Sequence, residues 1–204
     1  MKKYPFYEQK DFLELINFMK SQSMATLITW QESEVHCGVH NMVYENNRLW
    51  LHTNKTDTQC TDMLNQNVVK IIFFEHLTDI PSYFVHPTNA SFATSYYRYL
   101  EIEGRAVIHT DPLRFKTQLQ LFLDQFQPEG GYAPLDENEE TYLEAANRIS
   151  VIEILIEKID SKWKLAQNHP KEKRLNFVAQ LKQRNQGKDM HAAKEIEKWI
   201  AAHP

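Results

Sequence analysis

Two cysteines, Cys37 and Cys60, are all that 204 residues hold. Neither has a Cys-x-x-Cys neighbour, so a disulfide framework is excluded, and free thiols in a reducing compartment are expected. The opening M-K-K-Y-P-F-Y-E-Q-K carries positive charge but no apolar stretch behind it. No signal peptide is therefore expected. No apolar run approaches the length of a bilayer crossing, so no membrane association is expected and the setting reads as cytoplasmic. Gly-x-Ser-x-Gly, a Cys–His arrangement and a Walker loop are all missing. If the chain performs chemistry, a cofactor carries it. Internal repeats and low-complexity segments are absent too.

What is present is enough for a packed core. Hydrophobic residues make up 42% of the chain and charged residues 25%. The length suits one domain, or one domain with an appendage. The net charge of -4 is unevenly spread: residues 161–188 hold eight Lys or Arg against one Glu. That basic stretch is the one nucleic-acid signal. It lacks a helix-turn-helix signature, and the overall charge is acidic, so DNA is an improbable partner by charge. The bland reading is a solvated helix face that complements an acidic body.

Taken in order, Asp11 to Ser21 has helical spacing, with Phe12, Leu15, Ile16 and Met19 on one face. Met24–Thr29 and Val35–Tyr44 read as a hairpin about the polar turn Trp30–Glu34. Leu77 to Ser95 reads as a long irregular connection with Ser82–Val85 as a short strand inside it. Tyr96–Thr110 alternates as a strand, with a bulge or bend at Gly104. Asp111-Pro112 starts a helix built on Phe115, Leu119, Phe122, Leu123 and Phe126. An acidic loop over Tyr132–Glu140 and a short helix over Glu139–Asn147 lead to a last strand, Ile149–Ile159. Two helices close the chain, one with Leu175, Val178 and Leu181 in phase, the other with Ala192, Ile196, Trp199 and Ile200. Six strands with few intervening helices predict an α+β fold with a mainly antiparallel barrel.

The informative stretch is Arg48–Glu75: R-L-W-L-H-T-N-K-T-D-T-Q-C-T-D-M-L-N-Q-N-V-V-K-I-I-F-F-E. It reads as strand, hydroxyl-rich turn, short helix opening near Thr58, and buried strand. A strand that runs into a helix start is a place for an anion, because unpaired N–H groups and the helix dipole meet there. The bland alternative is that Thr53, Asn54 and Thr58 cap the helix.

This order of elements resembles the FMN-binding split barrels related to pyridoxamine 5'-phosphate oxidase. R-Y-L-E-I-E-G-R-A-V-I at Arg98–Ile108 is similar to that family's next strand pair. I-D-S-K-W-K-L-A-Q-N at Ile159–Asn168, with basic residues and an amphipathic helix behind it, resembles the ending of the PaiB-type negative transcriptional regulators of the same fold group. The resemblance implies a six-stranded split-barrel domain over residues 1–160, with a C-terminal helical extension packed on it over residues 161–204. It also implies a homodimer with FMN at the interface between two chains. Thr53 and Asn54 match the family's phosphate-contacting Thr-Asn, and Thr58 stands where a Ser opens the helix. His36 and Asn41 stand where the family has Arg and Lys, and Tyr99 where it often has Gln. Cys60 replaces the usual Lys two residues into the helix, and Lys55 is the substitute cation. Without a guanidinium the phosphate loses its bidentate partner, so weak FMN binding or none is expected.

Trp163 reads either as core or as a cofactor lid. Gln167 and Asn168 either reach a flavin edge or tie down the chain end. His36 and His40 share a strand face, with His52 and Cys37 as further donors, yet the spacing fits no standard zinc pattern, so no metal is expected. His169 beside Pro170 is a conceivable haem ligand with little in its support. Two functions follow from the resemblance. One is a flavin oxidoreductase, reductase-like, with NAD(P)H as the donor. The other is a PaiB-like regulator in which flavin is a ligand or absent.

Overall fold

The computed structural model describes residues 5–136 and 138–203. Residues 1–4 and 204, at the outer ends of the two expected domains, and Glu137 of the expected acidic loop lie outside the described residues.

The class is α+β. The elements are α1 (Phe12–Ser21), β1 (Met24–Gln31), β2 (Glu34–Asn41), β3 (Val43–Glu45), β4 (Arg48–Asn54), α2 (Thr58–Asn65), β5 (Val68–Ile80), β6 (Thr94–His109), α3 (Pro112–Phe126), α4 (Glu140–Arg148), β7 (Ile149–Lys164), α5 (Lys171–Arg184) and α6 (Asp189–Ala202). The strands make one sheet in the order β2-β1-β5-β6-β7-β4-β3. The pairs β1–β2, β1–β5, β3–β4 and β4–β7 are antiparallel.

Among the described residues seven strands replace the expected six because Val35–Tyr44 is two strands. β2 runs against β1 from Gln31↔Glu34 to Met24↔Asn41. β3 runs against β4, Val43 opposite Trp50. Met42 between them is 1% exposed. Its side chain anchors in the core while the backbone changes partner.

Other boundaries move for local reasons. Trp30 pairs with Val35 inside the hairpin, and the turn is shorter than expected, with Glu32 at φ 54°. Ser82–Phe84 is a 3-10 turn, not a strand: Phe84 N–H donates to the Pro81 carbonyl and Val85 N–H to that of Ser82. β7 continues through Trp163 to Lys164, five residues past its expected end. At Gly104 the alternation of β6 runs on without a break. A Cβ there would stand 2.6 Å from the Leu155 carbonyl oxygen, so this glycine serves a close backbone approach.

The helices follow their caps. Asp11 accepts from Leu13 and Glu14 at the start of α1, and Asp111 accepts from Arg114 with Pro112 in the first turn of α3. α1 buries Leu15, Phe18 and Met19 and leaves Phe12 exposed. α5 buries Phe177, Val178 and Leu181, while Leu175 faces solvent.

The chain divides into two compact units. The first comprises residues 11–73 and 101–159, the second residues 5–10, 74–100 and 160–203. Leu27, Leu49, Leu51, Val69, Ile71, Ile102, Ile152 and Ile154 form the dry centre of the first. Each such side chain contributes about 1.5–3 kcal/mol on full burial. α3 and α4 add a lesser core of Phe115, Tyr142, Ala146 and Val151, with Trp50 packed against it. In the second unit Tyr96, Trp163, Phe177, Leu181, Ala192 and Ile196 are buried.

Candidate cofactor site

β4 ends at Asn54 because the chain turns there on its own side chains. Asn54 Oδ1 accepts from Thr56 N–H at 3.0 Å and from Thr56 Oγ1 at 2.9 Å. Asp57 N–H donates to the Asn54 carbonyl, and Lys55 N–H to the carbonyl of Arg148. Asp57, in extended conformation, is the N-cap of α2 and accepts from Gln59 N–H at 2.8 Å. The cap is therefore Asp57, not Thr53, Asn54 or Thr58. This matters for anion binding, since a carboxylate already sits at the positive end of the helix dipole.

The turn still gathers four of the expected site residues. Thr53 is half-buried opposite Ser150, Asn54 and Thr58 are exposed, and Lys55 is half-buried. Cys60 is 1% exposed. That position points into the core, so α2 presents nothing to a ligand where the resembling family has its Lys.

α2 is held to β1 and β2 by polar side chains that the sequence reading passed over. Asp62 is wholly buried, and its Oδ2 accepts from Thr29 Oγ1 at 2.6 Å and faces His36 Nδ1 at 2.8 Å. His36 Nδ1–H donates to the carboxylate, which leaves Nε2 turned outward, 3.7 Å from Glu34. Gln59 sends its Nε2 to the carbonyls of Leu27 and His36 and its Oε1 to His40 Nε2 at 2.8 Å. Gly38 makes room for it: a Cβ there would lie 2.1 Å from Gln59 Oε1. The signal was present in T-Q-C-T-D-M, where Gln59 and Asp62 lie three apart on the face that also carries Met63. Polar residues at core spacing on a short helix mark buried hydrogen bonding.

The other expected residues are differently placed. Asn41, on the opposite face of β2 from His36, is exposed and donates to the Ser23 carbonyl. His52 meets Gln118 of α3 and lies against the rings of Phe115 and Phe122. Burial pushes its pKa below the usual histidine value, the Gln118 contact opposes that, and the charge of His40 adds to it. Tyr99, Trp163 and Gln167 belong to the second unit. Tyr99 is half-buried on β6. Trp163 is 2% exposed, with the Arg98 guanidinium 5.3 Å from its ring. Gln167 closes the turn after β7, accepting from Leu165 N–H and donating to the Trp163 carbonyl. His169 packs on Phe177.

Acids face part of the basic stretch. Lys182 pairs with Glu197 at 2.6 Å, Arg184 with Asp189 at 2.6 Å, and Lys188 approaches Glu75 at 3.7 Å. Among the described residues no group of three or more His, Cys, Asp or Glu is placed to hold a metal ion. Among them, no helix is long and apolar enough to cross a membrane.

No curated protein matches the sequence. Solved structures do match in fold. The flavocytochrome Anf3 from Azotobacter vinelandii is 12% identical over 80% of this chain and 72% of its own, with a TM-score of 0.66. An FAD and heme binding protein from Mycobacterium smegmatis is 10% identical over 83% and 78%, with a TM-score of 0.65. A conserved hypothetical protein from Mycobacterium tuberculosis is 16% identical over 83% and 94%, with a TM-score of 0.61. The family model FMN_bind_2, described as "Putative FMN-binding domain", matches residues 1–158, so the chain belongs to that family.

Proposed function

We propose that the protein binds FMN with its phosphate at the junction of β4 and α2, and that the bound flavin makes it an oxidoreductase of the flavin-reductase kind. Membership of the FMN-binding family over residues 1–158 carries this reading. The donors fit in type: the hydroxyls of Thr53 and Thr58 and the ammonium of Lys55. Asp57 opposes them, which supports weak rather than tight retention. The flavin would supply hydride acceptance and donation, with NAD(P)H as donor. The residues around it need only hold it, orient it and limit water.

The proposed assembly is a split-barrel homodimer. Val35 and Val39 on β2 and Met24 on β1 are 56%, 61% and 49% exposed, and this apolar face suits a second copy. A regulator of the PaiB kind is the other reading. Its DNA-binding arm loses support from the acids that face Lys182, Arg184 and Lys188.

Flavin absorbance after titration with FMN, bleaching on addition of NAD(P)H, and mass by light scattering test the proposal. Micromolar FMN binding, bleaching and a dimer are expected. No binding at millimolar FMN, or a monomer, would refute it.

A further inference from the structure

In the second unit, one face of the sheet carries aromatic rings and ammonium groups together. Phe74 on β5 is 56% exposed, and its ring lies 5.9 Å from that of Tyr97 on β6. Lys162 Nζ stands 5.7 Å from the centre of the Tyr97 ring. Lys164 is two residues further along β7, so the strand alternation puts it on the same side, with Trp163 buried on the other. Asp160 precedes Lys162 on that side. The row reads acid, base, base, and the positive excess falls at Lys164.

Lys164 is the unusual member. It is half-buried, and its Nζ meets the Thr94 hydroxyl. Among the described residues no carboxylate lies within ion-pair distance of it. Burial and the neighbouring charge of Lys162 push its pKa below the usual lysine value. A half-desolvated ammonium beside a like charge is costly in the unliganded protein, and an anion would relieve it. An open ring face beside an uncompensated cation suits a flat ring that carries negative charge.

We infer that Phe74, Tyr97, Lys162 and Lys164 form a binding platform for a small planar aromatic anion other than the flavin. The ring lies against Phe74 and Tyr97, and the carboxylate or phosphate meets the ammonium groups of Lys162 and Lys164. The inference stands apart from the FMN proposal, because none of its four residues is used there.

Calorimetric titration with 2-naphthoate, against neutral 2-naphthalenemethanol and non-aromatic cyclohexanecarboxylate, tests it. Naphthoate is expected to bind at least about tenfold more tightly than either control, a charge-assisted contact being worth that much. Lys164→Gln should abolish the preference over the neutral ring. Phe74→Ala, at an exposed position, should weaken both aromatic probes. Naphthoate should also shield Lys164 of the unaltered protein from acetylation, read by mass spectrometry. Equal binding of charged and neutral rings, or no shielding, would overturn the inference. So would displacement of naphthoate by FMN, or tighter binding of oligothymidylate, which would reassign the face to the flavin or to nucleic acid.

Discussion

His36 Nδ1 stands 2.8 Å from Asp62 Oδ2, and the carboxylate behind it has no exposed surface. The pair ties β2 to α2, the helix that opens at the candidate phosphate site. A buried carboxylate of this kind is costly to leave unpaired, and its second oxygen, Oδ1, has no partner among the described residues.

Asp62→Ala removes the acceptor of both Thr29 and His36. The loss should be about 1–3 kcal/mol, the usual cost of stranding buried donors. A lower urea midpoint with an unchanged slope is the expected result. An unchanged midpoint would mean that α2 is held by its apolar contacts alone.

Gly38→Ala drives a methyl to 2.1 Å from Gln59 Oε1 and 2.9 Å from His40 Nε2. Gln59 must leave its bonds to Leu27 and His36, at about 1–3 kcal/mol for the overpacking. Gly104→Ala meets the backbone of Leu155, which cannot rotate away, and should be the worse of the two. Paired thermal melts give the order.

Asp57→Ser keeps a capping oxygen and removes a negative charge beside the proposed phosphate. FMN should bind roughly two- to fivefold more tightly, matching about 0.3–1 kcal/mol for a charge at a helix end. Flavin fluorescence quenching reads it. Weaker binding by the variant would place the phosphate elsewhere.

His52 is held neutral by burial, so its folded pKa lies below the unfolded value. The unfolded chain then binds more protons, and stability falls as pH drops below about 6.5. His52→Gln should flatten the slope of melting temperature between pH 6.5 and its lower folded pKa.

Asp189 behaves as an acid held ionised. The Arg184 guanidinium, with the Thr78 hydroxyl and Gln186 N–H, lowers its pKa to about 2. Its stabilisation is present above its ordinary value, about 3.8, and is lost as pH falls toward 2. Asp189→Asn should lower stability at pH 7 and narrow the gap to the unaltered protein at pH 2.5, by circular dichroism.

Local rules read well from this sequence where a cap or an alternation decides the element. Asp11, Asp111-Pro112 and the β6 alternation announced their structures within a residue or two. They failed where distant residues decide. Phe177 is in the core and Leu175 is not, since the helix phase depends on what α5 packs against. Val35–Tyr44 alternates smoothly as sequence, yet its partner changes at Met42. Thr53, Asn54 and Thr58 looked like the cap because each can accept, but the carboxylate of Asp57 reached the free N–H.

By itself the sequence determined the α+β class, the helix starts, most strand positions and the family, because these rest on near-neighbour chemistry and on pattern. The tertiary structure alone decided the Asp62–His36 and Gln59–His40 links, the inward turn of Cys60, and the grouping of Phe74, Tyr97, Lys162 and Lys164. Those depend on strand register and on which face meets the core. No local propensity encodes either.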